Sequence, residues 1–168
     1  MKNLKYFDSN VCVGKLGSKH NLQKWKTEDI LAGMDQCGLA GALVYHGLAK
    51  AYAPEYGNRL LEKELEKSSR LTGCWVVMPH HMGDFPEPEE AVKMMYDKNI
   101  AAARILPKTD LFDINSHTTD RLFSVLEGEE FPLLVDAPEI DFESLKYILA
   151  HYPDLKVILQ GLSWSQER

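Results

Sequence analysis

The sequence predicts an α/β fold, a partial (β/α)8 TIM-type barrel of about six strand-helix units. Runs rich in Val, Ile, Leu and Ala recur at intervals of about 23 to 35 residues. Each run is followed by a polar stretch with helical patterning, the alternation that parallel βαβ units require. Polar side chains stand at or just past the ends of nearly all the runs: Asp8, Asn10 and Cys12, His46, His80 and His81, Arg104, Asp136, and Gln160. A barrel enzyme carries its chemistry at those C-terminal strand ends. An open doubly wound parallel sheet is the alternative, since six parallel strands suffice for it.

The six expected strands are Leu4-Val13, Leu39-Tyr45, Leu71-Met78, Ala101-Leu106, Pro132-Asp136 and Leu155-Gln160. Between the first two, Thr27 is a natural N-cap, Ile30, Leu31, Met34 and Cys37 share one face, and Gly38 marks the stop. The helix near Tyr56-Ser69 sets Leu60, Leu61 and Leu65 against a charged face. Pro86 and Pro88 favour a loop before the next, near Glu89-Lys98, which turns Val92, Met95 and Tyr96 inward. A helix near Thr118-Glu127 buries Leu122, Phe123 and Leu126. Asp141 can cap a helix whose stripe is Phe142, Leu145, Ile148, Leu149 and Tyr152, ended by Pro153. No linker or low-complexity stretch interrupts the series, so residues 1–168 read as one domain.

Composition narrows the function classes. At 45% hydrophobic and 26% charged residues, the 168-residue chain resembles an ordinary globular domain with a sizeable core. A formal charge of -6, with no basic run, speaks against a nucleic-acid partner. No segment approaches membrane-spanning length, and Met1 to Gly14 lacks the form of a secretory signal. Cys12, Cys37 and Cys74 have no paired spacing, so the expected compartment is the cytoplasm. Gly14-Lys15-Leu16-Gly17 is not a dinucleotide-binding glycine loop, and no phosphate-binding P-loop occurs, which removes the main support for nucleotide binding.

Three stretches carry a family resemblance. Tyr6-Phe7-Asp8-Ser9-Asn10-Val11-Cys12-Val13-Gly14 resembles the opening strand of the amidohydrolase-related family, the metal-dependent hydrolases of the barrel fold. Ala103-Arg104-Ile105-Leu106-Pro107 resembles its fourth strand. Phe131-Pro132-Leu133-Leu134-Val135-Asp136, with Tyr152-Pro153-Asp154-Leu155-Lys156-Val157-Ile158-Leu159, resembles its fifth unit and sixth strand. The resemblance implies a hydrolase of small substrates that activates water on one or two divalent metals such as zinc. In the family's D-x-H-x-H pattern, residues two apart face the same side and converge on one ion. Here Asn10 and Cys12 stand where the two histidines belong, Asp136 stands where the fifth strand commonly has His, and the sixth strand offers only Gln160. These departures leave the cofactor undetermined and assign no metal ligand.

Eight units take ~250 residues, so six units in this chain leave roughly two missing. The expectation is a truncated barrel, stopping at Trp164-Ser165-Gln166-Glu167-Arg168 where a sixth helix would start, or a homo-oligomer that covers the edges at Lys5-Val13 and Lys156-Gln160.

Arg104, a guanidinium on the inner half of a strand, needs a carboxylate or anion. Asp8 or Asp136 can supply one structurally, and a substrate carboxylate or phosphate can supply it functionally. The expected catalytic residues are Asp136 and His80. The expected substrate-binding residues are Arg104, His46, Asn10 and Gln160. His80 and His81 read equally as a polar rim, because adjacent strand residues diverge. Cys12 reads as an inert core thiol unless a base lies beside it. Two functions remain: an amidohydrolase-like hydrolase of a small anionic substrate, or a non-catalytic barrel module in which these side chains are structural.

Overall fold

The computed structural model describes residues 5–15, 24–83 and 85–162. Leu4, His20 and the expected helix start at Trp164 lie outside the described residues. The strands are β1 (Tyr6–Val13), β2 (Leu39–His46), β3 (Leu71–Val76), β4 (Ile100–Ile105), β5 (Leu133–Asp136) and β6 (Val157–Gln160). They pair in parallel in the order β1-β2-β3-β4-β5-β6. The helices are α1 (Thr27–Cys37), α2 (Gly47–Ala51), α3 (Pro54–Leu65), α4 (Pro88–Asp97), α5 (Asp120–Gly128) and α6 (Phe142–His151). The sheet curls into a half-barrel that is open at β1 and β6 among the described residues, a form common to an open parallel sheet and a partial barrel.

Strand alternation sorts the side chains into two layers. One face of the sheet packs against the helices: Ala42, Val44, Trp75, Ala103, Ile105, Leu133 and Val135 meet Met34, Leu61, Met95, Val92, Phe123, Leu126 and Ile148. The concave face is a smaller layer of Leu43, Tyr45, Cys74, Ala102 and Leu134, with Cys12 against it. Above it, Ala49 of α2 packs on Val76 and Leu106, so a one-turn helix lies across the strand ends.

Each end of α2 has a local cause. His46 is its N-cap, accepting the Leu48 N–H on Nδ1 at 3.1 Å. Its ring lies over Gly14, where a Cβ would stand 2.3 Å from Nε2 and where φ is +79°. Behind α2, the buried Asn58 of α3 clamps the end of β3, donating to Val76 O at 2.7 Å and accepting from Val76 N at 3.1 Å.

Three expectations change. Lys26, not Thr27, is the N-cap of α1; Thr27 is the first helical residue and its hydroxyl donates to Glu64. Tyr96 is 55% exposed, its hydroxyl reaching Glu129 O. Phe142 and Leu149 are 78% and 53% exposed, because α6 flanks the free β6 edge and seats only Ile148 fully. Asp141 does cap α6, accepting Ser144 N at 2.7 Å, and Gly38 ends α1 in the left-handed conformation. No helix among the described residues is long and apolar enough to cross a membrane.

Candidate functional site

Five of the six strands bring a side chain to one point on the concave face. Arg104 enters from β4 and is 1% exposed. Its Nη2 donates to Asn10 Oδ1 of β1 and to Gln160 Oε1 of β6, each at 2.8 Å. Its Nη1 lies 3.3 Å from Asp136 Oδ1 of β5. The guanidinium carbon sits 4.4 Å from the ring centroid of Tyr45 on β2, a cation-π contact in a desolvated setting. Gln160 Nε2 also reaches Ser9 O at 3.5 Å, so the two edge strands meet through this cluster.

The geometry follows from strand parity. On β4 the concave positions are Ala102 and Arg104, and on β5 they are Leu134 and Asp136. On β1 the register advances three residues, from Asp8 to Val11, while β2 advances two, from Ala42 to Val44. A bulge of this kind re-aims side chains locally, and here it brings Asn10 as well as Cys12 inward.

Asp136 has a second cation. Lys50, carried by α2 across the strand ends, donates to its Oδ2. Asn10, Tyr45, Lys50, Arg104, Asp136, Glu139 and Gln160 line a pocket of about 290 Å³. Glu139 is committed to the β4–α5 loop, accepting from Lys108 N, Thr109 N and Thr109 Oγ1. Two cations therefore share the Asp136 carboxylate, and with Glu139 on the same lining the positive and negative side chains balance.

Of the six residues expected at a site, Asp136, Arg104, Asn10 and Gln160 meet here. His46 points the other way and serves α2, and so acts on the pocket only by holding the helix that carries Lys50. His80 lies on a turn past β3, its Nε2 3.4 Å from Glu87 Oε2, and does not line the pocket. Tyr45 and Lys50 were missed. Tyr45 was within an expected strand, but Leu43, Val44 and Tyr45 are all apolar in bulk and give no parity signal. Lys50 depends on a five-residue helix opened by a histidine cap, which lacks the usual Ser, Thr, Asp or Asn signature.

The donor set does not fit a divalent metal. A guanidinium already stands where Asn10, Asp136 and Gln160 converge. Burial pushes the Cys12 thiol above its ordinary value and the Cys74 thiol up to about 11, and a metal needs the thiolate. Among the described residues, no three His, Cys, Asp or Glu side chains cluster in a way that could hold a metal ion.

Titration should reach the pocket through His46, whose imidazole burial holds below its ordinary value of 6.5. A depressed folded pKa contributes stability in full above the unfolded value and loses it as the pH falls toward the folded one. Protonation removes the Nδ1 acceptor of Leu48 N–H and loosens α2. Asp110 acts in the opposite sense: burial first, then Glu139, raise it from 3.8 to about 6, a destabilisation present above that pH and relieved as pH falls. His46→Asn keeps a capping acceptor without the titration. It is expected to lose less thermal stability than the parent between about pH 7 and pH 5. Melting curves that stay parallel across that range would remove His46 from this role.

No protein-family model matches the chain, and no curated protein matches it. A solved structure does: the apo crystal structure of Agrobacterium tumefaciens ATU3138, with a TM-score of 0.62 at 12% sequence identity. The match covers 92% of this chain and 54% of that one, so the chain spans about half the length of the protein it resembles. At that identity the likeness concerns the fold.

Proposed function

We propose that this chain is a barrel-type unit related to the amidohydrolases that takes a small anionic substrate, a carboxylate above all, at its strand ends. Lys50 and Arg104 receive the anion, Asn10 and Gln160 hold the guanidinium in place, and Asp136 takes up or returns a proton. The observation that carries this reading is the convergence of two cations, Lys50 and Arg104, on the Asp136 carboxylate in a pocket of about 290 Å³. The sequential strand order and the helices packed on one face support the barrel part of the reading. Hydrolysis needs a base for water and a positive group for the oxyanion that forms at the carbonyl; Asp136 and Lys50 supply those two roles. A cytoplasmic setting and a homo-oligomer covering the β1 and β6 edges, where Tyr6, Phe7 and Ile158 are exposed, belong to the same proposal.

Calorimetric titration with acetate, malonate and glutarate tests the binding. The parent is expected to bind at least one of them, and Lys50→Met to bind it about tenfold more weakly, the loss of one charge-assisted hydrogen bond. Equal affinity in the variant would refute the assignment. The second reading, a non-catalytic module, is favoured by one feature: Asn10, Gln160 and Asp136 already saturate much of Arg104. Carboxylate binding without turnover across a panel of esters, amides and lactones would select it.

A further inference from the structure

We infer that the Arg104 guanidinium stands in place of a metal ion: it is the fixed cation around which Asn10, Asp136 and Gln160 are arranged, and the site works without a divalent metal. The inference concerns how the site is built and does not depend on which anion, if any, it binds.

The arrangement is that of a coordination shell. Oxygen atoms from β1, β5 and β6 close on one cationic group at 2.8, 3.3 and 2.8 Å. Their chemical types match a guanidinium and not zinc. Amide oxygens accept N–H donors well, whereas zinc selects imidazole and thiolate. Two residues in the resembling family's opening motif have changed in the matching sense: Asn10 supplies an acceptor, and Cys12 supplies a small thiol whose proton burial retains.

Charge and space exclude both cations at once. Arg104 is fully buried, with Tyr45 over its face, and a guanidinium does not discharge in a protein. A divalent ion on Asp136 would have to displace Lys50 and Arg104, which already occupy its two oxygens. Among the described residues Nε has no hydrogen-bond partner, and the hub is held through the two terminal nitrogens. The cation is thus covalently part of β4 and cannot be removed by a chelator.

Metal content and chemical rescue test this together. The purified chain, equilibrated with zinc or manganese and desalted, is expected to retain far less than one ion per chain. Its melting temperature should not change with EDTA. Arg104→Ala is expected to melt about 10 °C lower, because a buried carboxylate loses one of its two cations and the Asn10 and Gln160 oxygens lose their shared donor. Tens of millimolar ethylguanidinium should recover most of that loss, and ethylammonium at the same ionic strength should not. If Arg104→Ala folds only with ethylguanidinium, the inference gains the same support, and Arg104→Lys, which keeps charge without the planar fork, should fold with intermediate stability. One bound metal per chain that is lost in Asp136→Asn would overturn the inference. So would Arg104→Ala or Arg104→Lys melting with the parent, or rescue by ethylammonium as strong as by ethylguanidinium.

Discussion

Asp136→Leu is expected to destabilise the fold by about 3 to 5 kcal/mol, lowering the melting temperature by about 10 °C, because it strands the Arg104 charge inside the half-barrel. Among the described residues the carboxylate is the only anionic group in contact with that guanidinium, at 3.3 Å, and Arg104 itself is 1% exposed. Lys50, whose side chain is 33% exposed, can swing into solvent when its partner goes; Arg104 cannot. The asymmetry makes a second result informative. Arg104→Met combined with Asp136→Leu removes both buried charges, leaving the exposed Asn10 and the half-buried Gln160 within reach of water. The double variant is expected to be more stable than Asp136→Leu alone, with a coupling energy of about 2 to 4 kcal/mol measured by denaturant unfolding. Additive losses would mean that the two side chains contribute independently and that the hub is not a unit.

The second large effect is expected at Gly57, on the face of α3 that α2 lies against. A Cβ at this position would stand 2.0 Å from Ala49 N, 2.3 Å from Ala49 Cα and 2.5 Å from Ala49 Cβ. The first two are backbone atoms, so no rotamer change relieves the clash and the helices must separate. Gly57→Ala should therefore cost about 3 kcal/mol or more, beyond ordinary overpacking and in spite of the gain of about 1 kcal/mol that alanine brings to a helix interior. Gly33→Ala in α1, where nothing lies within 4 Å, should show that gain undiminished. Because Ala49 and Lys50 move together, Gly57→Ala should also weaken carboxylate binding. Unchanged affinity in a folded Gly57→Ala protein would mean that α2 does not set the position of Lys50.

The legible parts of this molecule are those in which local pattern and tertiary environment agree. The six apolar runs became six strands because each sends side chains into the core shared with the helices on one face, the edge strands β1 and β6 only through Val11, Val13, Val157 and Leu159. Arg104, Asp136, Asn10 and Gln160 could be named because a polar side chain at the end of an otherwise apolar strand has few other uses. His46 looked equivalent, but one step of parity sends it to Gly14 and the α2 cap instead of the pocket. His80 follows β3 at a point where the chain has already turned. Phe142 and Leu149 fit a helical stripe, yet a stripe specifies only that a face is apolar, and next to the free β6 edge no described element covers it. Lys50 was hidden because its role depends on a contact 86 residues away, made from a helix too short to announce itself.

The cluster around Arg104 also bears on the order in which the chain assembles. Every strand pairs with its immediate neighbours in sequence, so the sheet can grow one unit at a time, with short loops closed at each step. The hub is the exception: it ties Arg104 to Asn10 across 94 residues and Gln160 to Ser9 across 151. Such long closures form late, when most of the sheet is already paired. The guanidinium then stays hydrated through most of the folding reaction and surrenders its water near the end, so the hub acts as a latch that slows unfolding and leaves the rate of folding nearly untouched.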